Sequence, residues 1–192
     1  MSHPNQFENI DCNALKSALS ADDFAILATA LQFFDYPDAP ATAAVSSAEP
    51  EAILVLASRE SLPKQVRQLL ARYAQVEQHA YFLSNRDQYA RLLTVLAYTA
   101  EEEQRKPSFL ALLNFLHLGK LPPELTARPL AMVGLCLQNE QQYEMAISFL
   151  QKALAVSPCS TLSQFIEERL EECQAEQVNA DAMEQALVAF SS

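Results

Sequence analysis

The sequence predicts an all-α protein, and three observations carry that prediction. Two glycines occur in 192 residues, whereas tight hairpins and phosphate-cradling loops need glycine for positive φ. Alanine, leucine, glutamate and glutamine, all good helix formers, are abundant. Apolar residues recur at spacings of three and four in most segments, the period of an amphipathic helix. Half the residues are hydrophobic, enough for one domain or a closely fused pair with a sizeable core.

Residues 1–11 are polar and read as a flexible tail, and residues 12–85 as an N-terminal helical region. Ser20 precedes Asp22 and Asp23, and Phe24, Leu27, Leu31 and Phe34 follow at helical spacing. That is a capped helix with acids in its first turn. Tyr36-Pro37-Asp38-Ala39-Pro40 stops it, and a linker rich in Ala, Ser and Thr runs to about Ser47. Pro50 opens the apolar run Ala52–Ala57, which length alone assigns to neither helix nor strand. With no second strand to pair with it, helix is the expectation. Ser61 and Pro63 open the next helix, with a stripe at Val66, Leu69, Leu70, Tyr73 and Val76. Ser84 or Asn85 is expected to cap a helix over about 86–104, broken at Lys106-Pro107. Residues 108–118 are apolar nearly all round and read as a buried helix ending at Gly119.

The most specific pattern lies at 127–160. Leu130, Val133, Gly134 and Leu137 are followed by Ala146, Leu150 and Ala153 at a small-large-small spacing, and Pro158 closes the segment. This segment resembles a tetratricopeptide repeat, a helical hairpin of ~34 residues. The resemblance implies a C-terminal half, 86–192, built of antiparallel hairpins in a right-handed stack. Residues 91–125 resemble a second, degenerate unit when Pro123 is superposed on Pro158. They differ at Thr99, Glu102 and Leu118, which stand where Gly134, Leu137 and Ala153 do. After Pro158, Leu162, Phe165, Ile166, Leu170 and Cys173 form one helix face, and five glutamates from Glu167 to Glu176 occupy the other. An acidic outer face suits a capping helix at the end of a repeat array. A separate short helix is expected at about 180–190, docking through Met183, Leu187 and Phe190.

Such repeats bind partners mainly on the inner face of the first helix of each unit. The resemblance therefore implies a groove lined by Arg128, Ala131, Leu135 and Gln138, with Leu93, Leu96, Ala100 and Glu103 from the degenerate unit. These residues are mostly apolar, so the implied ligand is an apolar or amphipathic segment of a partner protein. A homodimer is open on the same reading. The net charge of −11, with no basic cluster, makes nucleic acid an unfavourable partner. No apolar run is long enough to span a membrane. The N-terminus lacks a basic start followed by an apolar stretch, so a cytoplasmic location is expected.

Catalysis, cofactors and metals are not expected. Cys12, Cys136, Cys159 and Cys173 are widely spaced, with no C-x-x-C pair, and read as thiols in a reducing compartment. His3 lies in the tail, His79 before Tyr81-Phe82, and His117 on an apolar helix; no nucleophile, dinucleotide or zinc motif accompanies them. Size, acidity and the repeat together resemble the type III secretion chaperones that hold hydrophobic translocator or needle subunits. The expected function is thus that of a scaffold or chaperone. Two alternatives stay open: a structural adaptor subunit of a larger complex, and a helical enzyme or small-ligand-binding protein whose polar groups converge only in three dimensions.

Overall fold

The computed structural model describes residues 10–37, 39–40, 49–119 and 122–190, the side chains of 187–190 excepted. Residues 1–9 of the tail expected at 1–11, the linker residues 41–47, His3, and the docking side chains Leu187 and Phe190 lie outside the described residues, whereas Ile10, at the end of the expected tail, is buried and its N–H donates to the Tyr36 hydroxyl at 2.9 Å. Among the described residues the chain forms ten α-helices, one 3₁₀ turn and no strand, so the fold is all-α. It divides into two compact units, Met1–Glu101 and Glu102–Ser192. Residues 86–101, grouped by sequence with the repeat region, are counted with the first unit, and the division runs through the 91–125 segment.

The first unit holds α1 (Cys12–Ala18), α2 (Ala21–Phe33), α3 (Pro50–Ala57), α4 (Lys64–Glu77), α5 (His79–Ser84) and α6 (Arg86–Thr99). The amphipathic α4 is its hub and packs against α2, α3, α5 and α6. Val66, Leu69, Leu70, Ala71, Tyr73 and Ala74 of α4 are buried together with Leu27, Leu31, Ile53, Leu56, Phe82 and Leu92. Burying each large apolar side chain contributes roughly 1.5–3 kcal/mol relative to leaving it exposed. The Ala52–Ala57 run is a helix, as expected, and turns Ile53, Leu54, Leu56 and Ala57 inward.

Caps follow the sequence in part. Ser20 Oγ accepts from the Asp23 backbone N–H at 3.1 Å, as a Ser N-cap should. Asp11 caps α1 through the N–H groups of Asn13 and Ala14, both at 3.0 Å. Ser61 does not cap α4; Pro63 holds the N-cap position and makes no side-chain bond there. Asn85 precedes α6, but its side-chain amide donates backwards to the Tyr81 carbonyl at 2.9 Å. Arg67 Nε donates to the carbonyl of Ala57 at 3.1 Å, placing a cation at the C-terminus of α3 where the helix dipole favours it.

A two-toothed ion pair joins the start of α2 to the residues after α3. Arg59 donates to the two Asp23 carboxylate oxygens at 2.7 and 3.2 Å. These bonds hold the Asp23 carboxyl below its ordinary range, against a smaller opposing push from partial burial. A depressed folded pKa stabilises the fold above the unfolded pKa, and that contribution is lost as pH falls through the folded value. Arg59→Ala should therefore move the Asp23 titration, followed by carbon-13 NMR, up toward the ordinary carboxylate range. Its stability cost at neutral pH should be below about 1 kcal/mol, because the pair is partly solvated, and should vanish at acid pH. An unmoved Asp23 titration would show that the pair does not persist in solution.

The second unit holds α7 (Glu102–Leu118), a 3₁₀ turn (Pro123–Thr126), α8 (Ala127–Asn139), α9 (Tyr143–Ala155) and α10 (Ser160–Phe190). Pro107 lies inside α7 and does not separate two helices. The break expected at Lys106-Pro107 falls instead at Ala100, whose backbone is extended at φ −62 and ψ 145. Proline at this position removes a backbone donor, while Glu102 and Glu103 in the first turn favour starting the helix there. Helix α8 packs on α7 and α9, and α10 packs on α9 and touches α8. Lys106 of α7 pairs with Glu140, the C-cap of α8. The short terminal helix expected at 180–190 is absent as a separate element, because α10 runs unbroken through it.

Helix α8 ends in a Schellman motif. Gln141 has φ 59; its N–H reaches the Gln138 carbonyl at 2.9 Å, and the Gln142 N–H reaches Leu137 at 2.9 Å. A non-glycine residue in that left-handed conformation costs roughly 1–2 kcal/mol. Gln141→Gly is therefore expected to stabilise the unit by about 1 kcal/mol in urea denaturation. A destabilisation would mean that the turn is not left-handed.

Candidate partner-binding surface

The α8–α9 hairpin places the residues that the sequence singles out. Gly134 faces Leu150 and Ala146 so closely that a Cβ on it would lie 2.8 Å from Leu150 Cγ and 3.3 Å from the Ala146 carbonyl oxygen. Glycine is required here for helix approach and not for φ, since it is helical. Ala146, Leu150 and Ala153 are all fully buried, and Val133 and Leu137 nearly so. The small-large-small pattern thus marks the side of α9 turned inward.

The four α8 residues of the expected groove differ in accessibility. Arg128 is exposed at the start of the helix, and Leu135 is partly exposed. Ala131 is 2% exposed and works as a packing residue in the folded chain. Gln138 is partly covered, and its amide donates to Glu176 of α10 at 3.1 Å. Glu103, early in α7, is exposed. Leu93, Leu96 and Ala100 belong to the first unit. Leu96 packs against that unit's core, Leu93 is partly buried, and Ala100 is 3% exposed. Burial removes the two alanines from direct contact with any ligand, while Leu135 and Arg128 remain accessible on α8.

A surface not foreseen from sequence lies on α9 and α10. The first turn of α9 and the later turns of α10 border a cleft of about 370 Å³, lined by Tyr143, Glu144, Met145, Gln177, Ala180 and Asp181, with Gln141 and Gln142 at its end. Met145 is 51% exposed although it neighbours buried Ala146. The signal available in the sequence was Met145 standing off the Ala146-Leu150-Ala153 stripe. The placement of α10 across it depends on tertiary packing.

His79 and His117 are both exposed. Burial pushes the Cys136 and Cys173 thiols up, away from the thiolate. Tyr81 donates to Glu51 Oε1 at 2.7 Å, and that bond raises its phenol pKa. Among the described residues no cluster of three or more His, Cys, Asp and Glu could hold a metal ion, and no helix is long and apolar enough to cross a membrane. No family model, curated protein or solved structure matches the chain.

Proposed function

We propose that this chain is a protein-binding helical module of tetratricopeptide-like build, a cytoplasmic scaffold or chaperone that holds an apolar or amphipathic segment of a partner. One observation supports the reading above others: Gly134 of α8 lies against Leu150 and Ala146 of α9 at a distance that excludes a Cβ. That close approach is what the repeat's small-residue spacing is for, and it joins a specific sequence pattern to a specific contact. It leaves Leu135 and Arg128 accessible on α8, where such repeats engage partners.

The acidity of the chain and the apolar character of the expected groove extend the proposal to a chaperone for a hydrophobic subunit, similar to those of type III secretion. The activity is binding, with no chemical step assigned to any residue. The test is affinity capture by the full chain from its native source, with quantification of what is retained. Stoichiometric recovery of one protein, through a segment with apolar residues at helical spacing, is the expected result. Recovery of a small molecule turned over by the chain, with no protein partner, would overturn the reading.

A further inference from the structure

Residues 107–118 of α7 contain no Asp, Glu, Lys or Arg, in a chain of net charge −11. The stretch is apolar nearly all round, the pattern of a helix covered on every side. Only one side of it is covered by the chain's own described residues. Phe109, Leu112 and Leu116 are buried, and α7 packs on α8 and on the 3₁₀ turn. On the other side Leu110 is 42% and Leu118 69% exposed, and Pro107, Ala111, Asn114 and His117 are exposed with them. At about 100° per residue, Asn114 stands nearly opposite the buried stripe, with Leu110 and Leu118 about 40° to either side of it.

This outer face is symmetric about its centre. Leu110 and Leu118 lie one helical turn before and after Asn114, and Ala111 and His117 lie just inside them. A face with that symmetry is complementary to its own copy turned end for end, which is the geometry of a two-fold interface. In such a pair each Leu118 falls beside Leu110 and over the small Ala111 of the other copy. Asn114 meets its own copy on the axis, and one carboxamide can satisfy another because it both donates and accepts.

Charge selects the same occupant. Two acidic chains repel wherever their charged surfaces meet, and this stretch of α7 lets them meet without charge. The acids of α7 stand at its start, at Glu102 and Glu103. In an antiparallel pair Glu103 and its copy lie ~33 Å apart along the axis, at about 1.5 Å of rise per residue. That is over three Debye lengths, each about 10 Å in 0.1 M salt. A parallel pair sets Glu103 against its copy and is disfavoured.

We propose that α7 is a self-association helix: two copies of the chain pair their α7 helices antiparallel about a two-fold axis at Asn114, with Leu110 of each beside Leu118 of the other. The inference does not depend on the Leu135 face of α8. One helix face per copy is smaller than the ~800 Å² per partner of a stable complex, so the dimer is weak, with a dissociation constant on the order of 10–100 µM.

Sedimentation equilibrium of the full chain across that concentration range tests it. A monomer–dimer equilibrium is expected, unchanged in Leu135→Glu. Asn114→Asp sets two carboxylates against each other on the axis and should weaken the dimer about tenfold or more. Leu110→Lys and Leu118→Glu should each weaken it similarly. The double variant, Leu110→Lys with Leu118→Glu, should associate about threefold more tightly than either single one, because the antiparallel register places each new cation beside a new anion. All these positions are at least partly exposed, and circular dichroism verifies that the variants keep their helices. A chain that stays monomeric throughout, or a dimer that Asn114→Asp leaves intact, would overturn the proposal. A double variant weaker than both single ones would overturn the antiparallel register. A dimer dissolved by Leu135→Glu would assign the contact to α8 and equally overturn it.

Discussion

Gly134→Val is expected to destabilise the second unit by about 2–3 kcal/mol, because overpacking a filled interior costs on the order of 1–3 kcal/mol and a β-branched side chain adds stiffness. The space for a side chain at this position is already taken by Leu150, whose Cγ and Cδ2 would lie 2.8 and 3.0 Å from a Cβ. Leu150 is fully buried and cannot swing into solvent. The milder Gly134→Ala sets two effects against each other. Alanine gains roughly 1 kcal/mol of helix propensity over glycine, and the clash takes it back with about 1 kcal/mol more. Urea denaturation followed by circular dichroism measures both. Combining Gly134→Val with Leu150→Ala should cost clearly less than the sum of the single variants, since the second change removes the atoms the first collides with. Simple additivity of the two costs would mean that the helices do not meet at this pair.

Leu135→Glu is expected to weaken partner capture by about thirtyfold or more, the scale of an interface hot spot at 2 kcal/mol. The reason is desolvation: a carboxylate carried into an apolar contact loses its hydration without gaining a partner. The folded chain should tolerate the change, because Leu135 is partly exposed whereas Val133, Gly134 and Leu137 beside it are buried. Far-UV circular dichroism should thus be unchanged while capture fails. A variant that loses its helices would make Leu135 a core residue, and a variant that captures the partner normally would move the docking face off this side of α8.

Much of the second unit was legible in the sequence because its signals are local. Gly134, Ala146 and Ala153 announce close helix approach by size alone, and the hairpin α8–α9 is where the pattern puts it. The Ser20 cap and the helical state of Ala52–Ala57 were legible for the same reason. What escaped was set by distant partners. Helices α4 and α5 part at Gln78, whose backbone leaves the helix at φ −112 and ψ 27 without a proline or glycine to announce it. Helix α1 presents one buried side chain, Leu15, which is too little periodicity to read. Conversely, α10 runs on past Asn179 because no breaker stands between Ser160 and Phe190. The expected groove was legible as a helix face but not as a surface. Spacing placed Arg128, Ala131, Leu135 and Gln138 on one side of α8, and only the packing around it separated buried Ala131 from exposed Arg128.

Calorimetric titration of the captured partner into the full chain, repeated across temperature, tests most directly that the chain holds an apolar segment. Burial of apolar surface gives a negative heat-capacity change on binding. The expected result is a clearly negative value that shrinks, together with affinity, in Leu135→Glu. A value near zero, with affinity that falls steeply with salt and ignores position 135, would contradict it and describe a purely electrostatic encounter.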